Sequence, residues 1–192
     1  MRATTHSFPS WAMLLAVTLP CCVSAAETYT VDPKHSNIHF SVSHFWFTTT
    51  HGRFDKLSGQ VALDRAAKTG MMDITIAADS INTGIDLRDK NLRSANFFDV
   101  AKFPNVSYQS SALRFNGDTP VSVEGNLTLL GVTRPVTLTI STFECELPAT
   151  DQKEVCKAVA STRIKRSDFG MKYALPLVGD EITMKFEVAA YK

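Results

Sequence analysis

The stretch Glu181-Ile-Thr-Met-Lys-Phe-Glu-Val-Ala-Ala-Tyr191 turns Ile182, Met184, Phe186 and Val188 to one side and Thr183, Lys185 and Glu187 to the other. That period of two is the pattern of a half-buried β-strand. It returns over residues 72–78, where Met72, Ile74, Ile76 and Ala78 oppose Asp73, Thr75 and Ala77, and over 136–140, with Thr137 and Thr139 on the outer side. Many such strands in one domain need a shared, enclosed apolar side. An antiparallel sheet closed on itself supplies it most simply, and the width of the enclosure decides whether it is core or pocket.

Working outward, residues 29–31, 37–45, 59–64, 72–78, 105–111, 120–129, 136–143, 158–164 and 181–191 read as strands. Short breaks at Asp32-Pro33, Asn116-Gly117-Asp118, Gly131 and Val178-Gly179-Asp180 carry turn-forming residues. Residues 85–99 resist the strand pattern: Leu87, Asp89, Arg93 and Ala95 suit a short helix over about residues 85–95, which Phe97-Phe98 ends. Phe103-Pro104 then returns the chain to an extended path. One short helix cannot cover a sheet of this size, so the sheet furnishes its own second layer. The expected fold is all-β, a closed antiparallel β-barrel of about eight strands with one short helix. Such a barrel is either filled by its side chains or holds one small ligand, and strand counting does not choose between them.

The first 26 residues stand apart. Arg2 is their only charge, residues 11–19 form an apolar run ended by Pro20, and Ser24-Ala25-Ala26 offers small residues before Glu27. This is the pattern of a secretory leader over 1–26, cut near Ala26, ahead of one domain over 27–192. The run falls short of the ~20 residues of a spanning helix, so no stable membrane insertion is expected. Pro20 and Cys21, which precede Cys21 and Cys22, are not the small residues that lipid attachment wants.

Charge and cysteines narrow the function classes. The chain has 20 Lys and Arg against 19 Asp and Glu, and removing Arg2 with the leader balances them. No global field then gathers nucleic acid, and no nucleic-acid partner is expected. Beyond the leader only Cys145 and Cys156 remain, which fits one disulfide closing a short loop in an exported protein. A metal pair or a redox dithiol would favour the closer C-x-x-C spacing.

Residues able to carry chemistry are few. All four histidines beyond the leader, His35, His39, His44 and His51, fall in one stretch. His35 and His39 would stand about 13 Å apart in an extended strand, too far for one ion, so no metal site is expected. His44 shares the face of Ile38, Phe40 and Val42, as a buried hydrogen-bonded histidine or a polar contact for a ligand. No nucleophile elbow, phosphate loop or H-E-x-x-H stands out. The run Asp86, Arg88, Asp89, Arg93 and Asp99 reads as a solvated face with local ion pairs, or as the rim of a pocket. Phe40, Phe45, Trp46, Phe47 and Phe54, joined by Phe97, Phe98 and Phe103, exceed what strand pairing needs, and read as core or as the wall of an apolar pocket.

In order and spacing, several fragments resemble the YceI-like family of secreted bacterial proteins. They are Tyr29-Thr-Val-Asp32 with His35-Ser36, Phe40-Ser-Val-Ser-His44, Gly52-Arg-Phe54, Arg88-Asp89 with Leu92-Arg93-Ser94, and Phe97-Phe98-Asp99. Further along come Phe103-Pro104, Gly125-Asn-Leu-Thr128, Gly131-Val-Thr-Arg-Pro-Val136 and Arg166-Ser-Asp-Phe-Gly170. The resemblance spans the domain and implies an elongated, lipocalin-like barrel in the periplasm, with an apolar tunnel for a long isoprenoid chain and the capacity to form a homodimer. The chain departs from the family pattern at Asn91, where histidine is common, and at Asn96, where aspartate is common.

The expectation is thus a non-catalytic lipid-binding protein without a cofactor, holding a polyisoprenoid or isoprenoid-quinone chain for transport or storage. Its lumen is expected to be lined by Phe40, Val42, His44, Ile74, Ile76, Phe97, Phe98, Val106, Tyr108, Val123, Leu138, Ile140, Met184, Phe186 and Val188. One β-bulge would flip these parities. The rival expectations are an enzyme on a small or lipid substrate with His44 as base, and a structural or interaction domain with a filled core.

Overall fold

The alternation that marks residues 181–191 is realised in one of the longest strands of a continuous antiparallel sheet. A computed structural model describes residues 26–148 and 153–192, and apart from Ala26 the expected leader lies outside the described residues. In chain order the elements are β1 (Glu27–Val31), β2 (Asn37–His44), β3 (Thr48–Phe54), β4 (Leu57–Asp64), β5 (Thr69–Ala77), β6 (Ile81–Asn82), α1 (Asp86–Leu92), β7 (Asn105–Asn116), β8 (Thr119–Leu129), β9 (Val132–Glu146), β10 (Val155–Lys165) and β11 (Val178–Tyr191). Neighbours run β1-β4-β5-β7-β8-β9-β10-β11, and β1 pairs back onto β11. This closes an eight-stranded barrel. From the same edge of β11 the sheet also continues through β2, β3 and β6.

The register explains how one strand serves two partners. Glu187 of β11 is opposite Asn37 of β2, whereas Ala190 is opposite Val31 of β1, so β1 and β2 lie end to end along β11. Likewise β3 pairs with β2 and β4 with β1, leaving β3 and β4 end to end with Asp55-Lys56 between them. The sequence pattern showed neither β3 nor β6. In β3, Thr-Thr-Thr-His-Gly-Arg-Phe lacks apolar alternation, because its only fully buried side chain is Phe54 and the Phe40 ring lies where a Cβ on Gly52 would go. The expected helix is real but shorter, ending at Leu92 in a turn.

Each place where a strand breaks leaves backbone groups that must find new partners. Buried serines provide them. Ser36 Oγ donates to Ala189 O at 3.1 Å and accepts from Ala189 N at 3.0 Å, at the point where β11 changes partner. Ser80 Oγ accepts from Lys56 N at 3.1 Å and donates to Ala77 O at 2.6 Å, between β5 and β6. Ser110 Oγ accepts from Met72 N at 2.7 Å, next to the bulge where the β5–β7 ladder stops. Among the described residues no buried side-chain nitrogen or oxygen lacks a partner.

Cys145 and Cys156 are cross-strand partners on β9 and β10 and form the expected disulfide. The charged run of α1 does a different job from that expected. Asp89, only 5% exposed, accepts from the Thr83 amide and hydroxyl at 2.9 and 2.5 Å. Arg88 Nη2 donates to Thr83 O, while Arg93 donates to Asp79 O and Ile81 O, both at 2.7 Å. These side chains fasten α1 to residues 79–83. Beyond the short β6, Phe97 is buried and the Phe98 ring meets Phe54 edge-on at 5.6 Å between centroids.

Two stability outcomes follow. Replacing Cys145 and Cys156 together by Ala should cost about 2–3 kcal/mol by the loop-entropy model, read as a lower urea midpoint with an unchanged m-value. Ser36→Ala strands the Ala189 amide where β11 changes partner, and should cost about 1–3 kcal/mol by the same measurement.

Candidate functional site

Inside the barrel two apolar cavities lie in line along its axis. The larger, about 100 Å³, runs towards the end formed by the β4–β5, β7–β8 and β9–β10 connections and is walled by Ile74, Tyr108, Val123, Leu138, Ile140, Phe186 and Val188 among others. The smaller, about 80 Å³, lies towards α1 and is walled by Phe40, Val42, Phe97, Phe98, Val106, Leu129, Arg166, Met171 and Met184 among others. Ile76 and Leu127 line both, so the cavities adjoin there. On β8 the lining reaches from Pro120 to Leu129, roughly 30 Å of strand at ~3.3 Å per residue.

The walls decide what this space accepts. A water needs two to four polar partners, and apolar cavities of this kind stay dry. Few polar groups border either cavity, and those present are already engaged. The Tyr108 hydroxyl donates towards Val123 O at 3.0 Å and Val136 O at 2.9 Å, its ring lying over Gly125, which has no Cβ to obstruct it. Burial pushes the Tyr108 phenol up to about 12, so it stays protonated. All four methionines beyond the leader, Met71, Met72, Met171 and Met184, line one cavity or the other. Thioether side chains refit to irregular apolar shapes, which suits a long flexible guest.

The expected lumen residues fall as follows. Ile74, Ile76, Tyr108, Val123, Leu138, Ile140, Phe186 and Val188 wall the larger cavity, and Phe40, Val42, Phe97, Phe98, Val106 and Met184 the smaller. His44 does not join them. It keeps the inward parity, but β2 has passed the end of the cavity, and the imidazole meets the Phe45 ring edge-on at 4.2 Å. Sequence reasoning missed Met171 and Arg166, which reach the smaller cavity from the turn after β10. The clue available was the Arg166-Ser-Asp-Phe-Gly170 fragment.

Arg166 is 2% exposed and has no carboxylate in contact. Its guanidinium donates to four backbone carbonyls, Gly179 O at 2.8 Å, Met171 O at 3.1 Å, and Tyr173 O and Val178 O at 2.9 Å. Burial lowers its pKa below the ordinary arginine value, but the group remains a cation. The cage ties residues 171–179 across this end of the barrel.

The opposite end is capped by charge. Tyr29 is 1% exposed and its ring lines the larger cavity, while its hydroxyl donates to Glu154 at 2.6 Å and Glu27 at 2.9 Å. Arg65 donates to Glu154 at 2.6 Å, and Lys192 donates to Glu27. Burial and the two carboxylates raise the Tyr29 pKa. The hydrogen bond from Lys192 holds Glu27 below the ordinary carboxylate range, and that from Tyr29 does the same for Glu154. Cys145, Glu154 and Cys156 offer atoms within 4.8 Å of one another, but the disulfide occupies both thiols and leaves no metal pair.

A sequence profile of the YceI-like domain matches residues 29–190. A UPF0312 protein of Shewanella denitrificans is 33% identical over 178 residues, which is 91% of this chain and 92% of that protein. The crystal structure of BcnA from Burkholderia cenocepacia superposes with a TM-score of 0.66 at 26% identity, covering 83% of this chain and 98% of that one. A polyisoprenoid binding domain from Saccharophagus degradans has the same fold, with a TM-score of 0.62 at 23% identity over 85% of this chain and 97% of that one.

The charged cap sets a pH dependence. Carboxylates whose folded pKa lies below the unfolded value contribute stability above the unfolded value and lose it as pH falls through the folded one. The unfolding midpoint should therefore drop from about pH 5 downward, with a shallower slope in Glu154→Gln. The raised Tyr29 pKa works in the other direction, so stability should also fall as pH rises beyond the ordinary tyrosine value, less so in Tyr29→Phe.

Proposed function

The chain belongs to the YceI-like family, and from that premise we propose that it is a non-catalytic carrier or store for one long polyisoprenoid or isoprenoid-quinone chain, working in the periplasm. The observation that carries this reading is the pair of adjoining apolar cavities along the barrel axis. Joined at Ile76 and Leu127, they offer one extended apolar path suited to a linear hydrocarbon. The four methionines let the wall follow a branched chain. The ligand class matches the words used for the Saccharophagus degradans domain of the same fold. Export to the periplasm draws support from the leader pattern of residues 1–26 and from the disulfide, which favours an oxidising compartment.

An enzymatic reading needs a base facing the guest. His44 faces the aromatic turn and lines neither cavity. The polar side chains that line the space are already engaged: Tyr108 and Arg166 with backbone carbonyls, Ser110 with the Met72 amide, and Tyr29 with Glu27 and Glu154. The geometry therefore favours holding a chain over transforming one.

The test is organic extraction and mass spectrometry of protein purified without denaturation, expected to find a prenyl lipid in stoichiometric amount. Ala160→Leu places three further carbons in the larger cavity, at a cost of about 1–3 kcal/mol for overpacking. It should fold but release the lipid. A quinone analogue at a hundred times its Kd should stabilise the parent protein by about 2.7 kcal/mol and the variant by much less. An empty extract together with no thermal shift would refute the carrier reading.

A further inference from the structure

Large apolar side chains that remain exposed are distributed unevenly over this barrel. Of the ten that are exposed among the described residues, Met71, Leu147 and Tyr191 lie at the charged end, while Phe45, Trp46, Phe47, Ile85, Leu87, Tyr173 and Leu177 gather at the end beside α1. Neighbouring contacts place these seven around one end of the barrel. The Phe45 amide donates to Leu177 O at 2.7 Å, the Tyr173 ring meets Phe97 edge-on at 5.3 Å, and a Cβ on Gly52 would strike the Thr83 methyl, just ahead of Ile85 and Leu87. Trp46 and Phe47, at 71% and 84% exposure, form the tip of the β2–β3 turn.

That tip resists ordinary explanation. Phe45 and Trp46 have φ of 51° and 64°, the left-handed region that glycine or asparagine occupies at little cost and bulky side chains rarely enter. Neither burial nor turn propensity compensates for two strained, solvent-exposed aromatic residues. Residues with such backbone strain cluster where a partner is met.

We propose that this end of the barrel docks on a lipid bilayer, with Phe45, Trp46 and Phe47 seated among the headgroups, and that the hydrocarbon chain passes between the bilayer and the cavity behind them. This rests on the carrier reading for the passage of the chain but not for the docking. Three observations choose a bilayer over a second copy or another protein. The patch centres on a projecting tip of tryptophan, which prefers the membrane interface, flanked by phenylalanines of the kind that bury the apolar face of interfacial anchors. Around the tip itself, residues 44–50 and 171–178 contain no carboxylate and carry Lys172, which suits an anionic headgroup layer; the exposed carboxylate of Asp86, between Ile85 and Leu87, sets the α1 side of the patch apart from that contact. The smaller cavity also lies directly behind the patch, walled by Met171 and Val178 from the segment that bears Tyr173 and Leu177. A chain insoluble in water must cross an apolar rim, and the far end presents the charged cap of Glu27, Arg65, Glu154 and Lys192 instead.

Trp46 supplies its own readout. The only other tryptophan is Trp11, so the full chain carrying Trp11→Phe reports from Trp46 alone, whether or not its leader is removed. Vesicles of phosphatidylethanolamine and phosphatidylglycerol should shift its emission to the blue and shield it from an aqueous quencher. Trp46→Ser with Phe47→Ser, and separately Phe47→Asp, should weaken vesicle flotation about tenfold or more against a parent with the same N-terminus. Both should keep the parent's melting temperature and its binding of a quinone analogue in detergent. Emission that ignores vesicles, or that shifts with protein concentration in their absence as in a self-associating pair, overturns the docking proposal. Docking without analogue binding upholds it while removing the carrier reading, and analogue binding without docking does the reverse.

Discussion

The barrel depends on one strand serving two partners. β11 pairs with β10 from Glu181 to Tyr191, but its other edge is shared by β2 and then β1, and without that change of partner the ring would not close. The change leaves the Ala189 amide and carbonyl without a ladder, in a position where both are buried. Ser36 answers the amide and carbonyl with one hydroxyl, and the Asp32 amide donates to the same carbonyl at 2.8 Å. An unmet buried backbone group costs about as much as the net gain from one or two good hydrogen bonds. A single oxygen at the junction thus meets the one amide that closure would otherwise strand.

The same device recurs wherever the sheet is interrupted, and the interruptions shape the interior. Ser80 bridges the break between β5 and β6, and Ser110 ends the β5–β7 ladder. Split strands allow the wall to change direction without losing hydrogen bonds. One consequence is that the interior is drawn into a narrow axial space, with Ile76 and Leu127 at the join, in place of one wide chamber. A packed core of this volume would bring aliphatic side chains together across the axis. Here the apolar wall instead borders open space along much of the axis.

Much of this was legible from alternation, because alternation is a direct image of burial. Phe40, Val42, Ile74, Ile76, Leu138, Ile140, Met184, Phe186 and Val188 all face the interior as their parity requires. Parity fixes a side but not a depth, which is why His44 keeps its side and still lies beyond the cavity. β3 escaped notice because Gly52 and the threonines are there to make room for Phe40, and an accommodating surface leaves no hydrophobic pattern. Ser36, Ser80 and Ser110 look like ordinary polar residues in a sequence, since their value depends on ladders that end beside them. For the same reason the charges of α1 read as a solvated face, when their partners are backbone groups of residues 79–83.

The two ends of the barrel differ in how they manage polarity, and that difference gives the molecule a direction. At the charged end, carboxylates and cations neutralise one another over Tyr29, so water is a good solvent for the surface and a poor one for what lies beneath it. At the α1 end the buried cation, Arg166, turns wholly inward onto four carbonyls of residues 171–179. Removing a guanidinium from water is costly unless its donors are met, and here they are met by the segment whose outer side chains are apolar. The cage therefore stiffens an apolar rim without adding charge to it. Leu177, at its outer edge, receives the Phe45 amide and so supports the strained aromatic turn. Rigidity, strain and apolar exposure converge on one rim, with the axial cavity directly behind it.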